Sequence, residues 1–220
     1  MAAEEPRAKA PAREPTRRLF FALWPDEAMR RAMMQATRNA ARSSGGRPVP
    51  SQNLHVTLAF LGSVRQQRQP ELAGIARQAV ASRLGGETLA FDHLEYWRAA
   101  QLLCALPAAP PAWAAALARG LQDLLARREF APDLKPFRPH VTVVRKVSRP
   151  GRITSIHPVV WSFTAIALVE SRTRFPGHLR LRAGLSEPGP LYSVVESFPL
   201  CSGTAKSTEP SNAENNSEKP

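Results

Sequence analysis

Uninterrupted runs of apolar residues alternate along this chain with stretches in which apolar residues recur every three or four positions. The uninterrupted runs, bounded by Gly, Pro or polar residues, predict strands. These strands are expected at 18–24, 54–61, 88–97, 102–106, 137–144, 161–169 and 192–200. The helical spacing predicts three helices, at about 27–42, 71–83 and 111–128. Asp26 is placed to cap the first helix, and Gly62 to close the second strand.

Both ends of the chain differ from the middle. Residues 1–15 combine Ala, Pro and charged residues, and residues 201–220 are polar almost throughout. Neither segment has enough apolar surface to offset the entropy of ordering, so we expect both to be disordered tails. One folded unit is then expected over 16–200, either a large domain or two small lobes that share a core.

The same local pattern occurs twice. A helix that opens near Asp26 is followed, about 29 residues on, by His55, and a helix that opens near Pro111 is followed at the same offset by His140. Each His begins a His-Val-Thr sequence in an apolar strand. This repetition predicts a strand–helix–strand unit used twice, in two lobes whose His-Val-Thr strands face each other.

The doubled His-Val-Thr sequence is the candidate for chemistry. Residues i and i+2 of a strand share a face, so His55 should project with Thr57, and His140 with Thr142. A single copy would more often be a structural histidine. Two imidazoles, by contrast, suit a reaction in which one proton is removed while another is delivered.

Attack on a phosphodiester needs one group that removes a proton from the nucleophile and one that delivers a proton to the leaving oxygen. It also needs hydroxyl donors at the non-bridging oxygens. A ribose 2′,3′-cyclic phosphate is an apt substrate, because its ring strain reduces the need for a metal. The sequence has no carboxylate cluster suited to magnesium, so we expect a reaction without metal or cofactor.

The net charge of the chain indicates the kind of partner it binds. The chain carries +12, and the two tails together contribute one net negative charge, so the body carries +13. This surplus favours a polyanionic partner such as RNA, although arginine used as a general solubiliser would give the same balance.

Cysteine content and hydropathy indicate the compartment. Cys104 and Cys201 have neither a disulfide framework nor zinc-ligand spacing. No apolar run is long enough to span a membrane, and residues 1–15 lack the apolar core of a signal peptide. We therefore expect a cytoplasmic protein, in a reducing compartment and without membrane contact, and we expect it to be a monomer.

Three stretches of the chain resemble a known family. RLFFALWPDEAMR at 18–30, NLHVTLAFLG at 53–62 and FRPHVTVVRK at 137–146 are similar to the two-histidine phosphoesterase superfamily. The similarity is greatest to the bacterial-type RNA 2′,3′-cyclic phosphodiesterases, also called the 2′–5′ RNA ligase family. The resemblance covers about residues 17–200.

The resemblance implies a bilobal α+β fold, with a duplicated, pseudo-two-fold arrangement of mainly antiparallel sheets around a central cleft and helices outside. It implies hydrolysis of RNA 2′,3′-cyclic phosphate ends to 2′-phosphates, and more weakly 2′–5′ ligase activity. His55 and His140 would be the catalytic pair, and Thr57, Thr142 and Arg145 would bind the phosphate. The direction of ring opening in the family favours His140 as base and His55 as acid.

Other positions have two interpretations each. Phe20 or Phe21 would stack on the terminal base, or else pack in the core. The basic segment 172–190 would contact RNA, or else be a solvated insertion, and Arg145 has the same solvated alternative. The remaining histidines lack the His-x-Thr context and are expected to be non-catalytic: His93, His157 and His178.

Two rival functions keep this fold. One is an RNA-binding module without catalysis, which the two intact His-x-Thr motifs disfavour. The other is a phosphodiesterase acting on 2′–5′ oligonucleotides or on a small cyclic nucleotide.

Overall fold

A computed structural model describes residues 14–81, 87–132, 136–151, 154–172 and 190–200. These residues form three helices, α1 (Glu27–Ser43), α2 (Gln69–Val80) and α3 (Ala112–Arg127). They also form nine strands: β1 (Thr16–Leu23), β2 (Arg47–Pro48), β3 (Val56–Arg65), β4 (Glu87–Trp97), β5 (Leu102–Leu106), β6 (Val141–Arg145), β7 (Ser155–Phe163), β8 (Ala165–Arg172) and β9 (Leu191–Pro199). The expected tails, apart from residues 14 and 15, and most of segment 172–190 lie outside the described residues.

The strands form two sheets. The first has the order β3-β1-β8-β9 and the second the order β2-β6-β5-β4-β7. Every paired strand in both sheets is antiparallel. The fold class is therefore α+β with two antiparallel sheets, as expected. None of the helices in the described ranges is long and apolar enough to cross a membrane.

The repeated unit is visible in the strand pairing. In the first half β1 pairs with β3 on either side of α1, and in the second half β5 pairs with β6 on either side of α3. The helices are exchanged between the sheets. Helix α1 packs against β6 and β7, where the Trp161 indole donates to the Met29 carbonyl oxygen at 3.3 Å. Helix α3 packs against α2 and β3. The exchange joins both halves through one core.

Strand β1 is buried on both faces. Leu19, Phe21 and Leu23 point into the main core, whereas Phe20 and Ala22 belong to a small apolar cluster of their own. This alternation is the two-residue period of a strand. Because both faces are covered, the sequence of β1 is a continuous apolar run, and the smaller cluster forms one wall of the site described below.

The predicted bounds of the strands at 161–169 and 54–61 were wrong. The run 161–169 is not one strand, because β7 ends at Phe163 and β8 begins at Ala165, so the chain passes from the second sheet to the first at Thr164. Gly62 does not close β3, which continues to Arg65. Gly62 instead has φ +68° at a register shift between β1 and β3, a conformation that glycine adopts without strain.

The short strand β2 was not predicted, and residues 137–140 precede β6 instead of forming part of it. Gly46 lets β2 lie close to β6 because it has no side chain. A Cβ there would lie 2.6 Å from a Val144 methyl carbon and 2.8 Å from the Arg145 carbonyl oxygen. Only glycine lets the end of α1 approach this closely to the strand that follows His140.

Candidate active site

His55 lies immediately before β3, and both of its ring nitrogens have partners. Nδ1 donates to the Asn53 carbonyl oxygen at 2.7 Å, and Nε2 lies 3.1 Å from Thr57 Oγ1. A carbonyl oxygen only accepts, so Nδ1 carries the proton of the neutral ring. Nε2 is then the basic nitrogen, and the Thr57 hydroxyl donates to it.

His140 repeats this arrangement in the second half. It lies immediately before β6, and its Nδ1 donates to the Arg138 carbonyl oxygen at 2.8 Å. The carbonyl two residues earlier therefore fixes the tautomer of each imidazole and leaves Nε2 as the acceptor. Val56 and Val141, the next residues, are fully buried in the main core, as the strand alternation predicted.

The two threonines differ in their partners. Thr57 is opposite Ala22 of β1, and Thr142 is opposite Cys104 of β5. The Thr142 hydroxyl oxygen lies 3.9 Å from the Cys104 sulfur instead of bonding its own histidine. Burial raises the pKa of the Cys104 thiol to about 12, so this sulfur is uncharged near neutrality.

Three aromatic rings surround His55. The Phe20, Trp24 and Tyr192 rings have centroids 4.9, 5.7 and 5.2 Å from the imidazole. This burial is the main cause that lowers the His55 pKa to about 4, against the raising effect of the Asn53 hydrogen bond. The positive charges of Arg145 and His140 lower it further.

His140 has one aromatic neighbour among the described residues, Trp97 at 4.4 Å. Burial again lowers the pKa most, the Arg138 backbone hydrogen bond opposes it, and the charges of Arg138 and Arg145 add to the lowering. Arg145 thus acts on both imidazoles, and His140 acts on His55. The groups of the two motifs are therefore close enough for their charges to interact.

The other predicted site residues differ in their exposure to solvent. Arg145 is exposed at the end of β6. Phe21 is fully buried in the main core and packs on Phe198 at 6.5 Å, which supports core packing and not base stacking. Phe20 is 3% exposed and packs on His55 and Tyr192, so no face of it is open to a base.

The remaining histidines have other surroundings. His93 pairs with Asp92 at 3.1 Å, and His157 is exposed on β7. His178 lies outside the described residues. In the parts of the chain that the structure describes, no three His, Cys, Asp or Glu side chains come together as a metal-binding group.

Several site residues were missed by sequence reasoning. The sequence did not place Cys104 beside Thr142, and it placed none of these neighbours of the two imidazoles: Asn53, Trp24, Tyr192, Trp97 and Arg138. Asn53 and Arg138 each lie two residues before a motif histidine, and that shared offset was the available signal. The aromatic neighbours come from distant strands and gave none.

Two antiparallel sheets with exchanged helices, each sheet bearing one His-x-Thr motif, define the class as a two-lobed phosphoesterase fold. A family model described as LigT-like phosphoesterase matches residues 23–100. The chain is 30% identical over 164 residues to the RNA 2′,3′-cyclic phosphodiesterase of Escherichia coli K12, covering 72% of this chain and 92% of that one. A protein of the same name from Thermus thermophilus is 26% identical, covering 83% and 90%.

Solved structures of related proteins have a similar fold. E. coli LigT complexed with 3′-AMP superposes with a TM-score of 0.70 at 27% identity, over 84% of this chain and 99% of that one. TT0787 of Thermus thermophilus gives 0.66 at 25% identity, over 84% and 99%. The chain belongs to the LigT-like phosphoesterase family, which confirms the resemblance carried by the three motifs, and it is an enzyme.

Proposed function

We propose that the protein hydrolyses RNA 2′,3′-cyclic phosphate ends to 2′-phosphates, with His55 and His140 as acid and base. The observation that carries this proposal is the equivalence of the two imidazoles. Each donates Nδ1–H to the carbonyl two residues before it, which leaves Nε2 for proton transfer. The relatives that share the family are named for this reaction.

The reaction needs one proton taken and one given. The base removes a proton from water, whose oxygen attacks phosphorus as the bond from phosphorus to the ribose 3′-oxygen breaks. The acid protonates that leaving 3′-oxygen, so the product is a 2′-phosphate with a free 3′-hydroxyl. Thr57, Thr142 and Arg145 would stabilise the charge on the non-bridging oxygens, the part a metal would otherwise play.

We assign His140 as base and His55 as acid, following the direction of ring opening in the family. With the His55 pKa lowered to about 4, the proton shared by the unliganded pair lies mainly on His140. The negative charge of the bound phosphate must therefore draw the proton to His55, since a nearby anion raises an imidazole pKa.

The same site would support 2′–5′ ligation. If the 5′-hydroxyl of a second RNA replaces water, the same displacement forms a 2′–5′ phosphodiester. Water is present in vast excess, so hydrolysis is the main activity in this proposal.

The test uses an RNA with a 2′,3′-cyclic phosphate end, incubated in EDTA and followed by end-group analysis. His55→Ala and His140→Ala should each lower kcat by about 10²–10⁴-fold. The double variant should be little worse than the worse single one, because the two groups act as a unit. His157→Ala is the matched control, because His157 is an exposed histidine on a strand.

The outcomes separate the candidate functions. If both single variants turn over the cyclic end as the wild type does, the histidines are structural and the RNA-binding module replaces this proposal. If 2′–5′ oligonucleotides are cleaved and cyclic ends are not, the rival phosphodiesterase replaces it.

A further inference from the structure

His140 is covered by an indole that is itself covered by a guanidinium. The Trp97 ring centroid lies 4.4 Å from that of His140, at an interplanar angle of 51°. The Arg138 guanidinium carbon lies 5.5 Å from the Trp97 ring centroid. Glu95 holds this guanidinium through two hydrogen bonds, of 2.6 and 3.3 Å. Glu95, Arg138, Trp97 and His140 are therefore connected by successive contacts.

His55 has a matching arrangement in the other half. The Trp24 ring lies 5.7 Å from His55, nearly parallel to it at 23°. The Arg30 guanidinium carbon lies 5.3 Å from the Trp24 ring centroid. Its carboxylate, Glu27, is 4.0 Å away, and Arg30 Nε is buried without a hydrogen-bond partner among the described residues. The two halves therefore share one arrangement, an Arg–Trp–His cluster, in which Trp24 is stacked on His55 and Trp97 is tilted against His140.

We propose that these clusters are positioning devices: Trp97 with Arg138, and Trp24 with Arg30, orient the two imidazoles and shield one face of each from water. This inference rests on the proposed function, because orientation matters only if the imidazoles transfer protons. It assigns roles to four residues beyond the His-x-Thr motifs.

The backbone carbonyl, the indole and the guanidinium each have a separate effect on the imidazole. The backbone carbonyl fixes one edge of each ring, and the indole limits rotation about that hydrogen bond by occupying one face. The indole also excludes water from that face, which disfavours the charged form. The guanidinium binds a face of the indole by a cation–π contact and adds a positive charge that opposes a second one on the imidazole.

The charges around each imidazole are consistent with this role. His140 faces Arg138 in its own turn and Arg145 on β6, with Glu95 of β4 acting through Arg138. Both arginines lower the His140 pKa, after burial. His55 faces Arg145, His140 and the phenol ring of Tyr192, and Arg30 of α1 lies over the Trp24 ring.

The test is a histidine-ring NMR titration of the free protein, with His55 and His140 resonances assigned through His→Gln variants. Arg138→Met should raise the His140 pKa, because one nearby positive charge is lost and Glu95 remains. Glu95→Gln should lower it, because the charge of Arg138 is no longer balanced. Opposite shifts from the two partners of one ion pair are a result that loss of packing would not produce.

The chain supplies a matched control. Arg77 lies over the Phe198 ring at 5.7 Å and pairs with Glu196 at 2.7 Å, away from both histidines. Arg77→Met removes the same kinds of contact and should leave both histidine pKa values unchanged. If Arg138→Met shifts the His140 pKa no more than Arg77→Met does, the proposal is overturned.

Kinetics tests the orienting role. Trp97→Ala should lower kcat by about 10–100-fold with little change in KM, as expected when a reacting group is misplaced by about 1 Å. Trp97→Phe, which keeps a ring over His140, should recover most of the loss. If the Trp97→Phe and Trp97→Ala variants lose kcat equally while both proteins remain folded, the ring does not position the imidazole. The NMR outcome needs no turnover, so it stands or falls separately from the proposed function.

Discussion

The pH dependence of kcat/KM tests the acid–base pair most directly. The reactive enzyme must hold one proton on the pair, since one imidazole gives a proton while the other takes one. The titration belongs to the pair as a whole, so its shape is the same whichever histidine is the acid. Burial and nearby arginines lower the pKa of both imidazoles from the ordinary value of 6.5, that of His55 to about 4.

The magnitude follows from these shifts. If the upper pKa of the pair lies at or below 6.5, only about one enzyme in a hundred keeps the proton at about pH 8.5. The value of kcat/KM should therefore fall about 50- to 100-fold between about pH 6.5 and 8.5, close to tenfold for the last unit. On the acid side the decline should begin only near pH 4, where His55 also becomes charged.

The assay measures initial rates on a short uridine-ended cyclic-phosphate RNA, far below KM, in overlapping buffers of constant ionic strength. The diester of this substrate does not change charge over the range, so the profile reports the free enzyme. Circular dichroism at each pH excludes unfolding as the cause. A kcat/KM that rises from about pH 6.5 to 8.5 would refute the reasoning, because it would mean that the fully deprotonated pair is the reactive form.

Three further outcomes are expected. Thr57→Val and Thr142→Val should each lower kcat by about 10–100-fold on the cyclic-phosphate RNA, because a neutral donor contributes less than an acid or base, and wild-type rates in either would remove the threonines from the site. Chelation with EDTA should leave turnover unchanged, whereas a loss restored by magnesium or manganese would show that a metal takes part. Binding of longer RNA to the inactive His55→Ala variant, measured by fluorescence anisotropy, should weaken with salt by a log–log slope of about −0.7 per phosphate contacted, and a cyclic mononucleotide should show a much smaller slope.

The motif histidines were predictable because their signal is local. His-Val-Thr placed two polar side chains on one face of an apolar strand, and the strand period then put Val56 and Val141 in the core, where the structure has them. The equal offset from helix start to histidine predicted a strand–helix–strand unit used twice, and in the structure the two strands of each unit pair, β1 with β3 and β5 with β6. Each of these features depends on residues close together in the chain.

Other features depended on distant residues, and the sequence did not show them. The break at Thr164 is hidden because both flanking strands are buried, so the apolar run continues across the change of sheet. The exchange of α1 and α3 between sheets is a tertiary choice that an amphipathic pattern does not encode. Phe21 was a base-stacking candidate only because alternation cannot say which face of β1 meets the core and which meets His55.

The differences between the halves matter more for chemistry than the repeat itself. Two identical sites would give two imidazoles of equal basicity, and neither would be set apart as acid or base. Phe20 and Tyr192 contact His55, and among the described residues His140 has only Trp97 as an aromatic neighbour. Unequal burial separates the two pKa values and favours the shared proton on His140 in the free enzyme, so the bound phosphate must move that proton to His55 before His55 can act as the acid.

The rings that set His55 apart are contributed by the first sheet alone, from β1 and β9. The duplicated unit therefore supplies the pair of imidazoles, and Phe20 of β1 together with Tyr192 of β9, a strand outside that unit, makes them unequal. It follows that substitution of Tyr192 should raise the pKa of His55 and leave that of His140 in place, narrowing the gap between the two limbs of the pH profile.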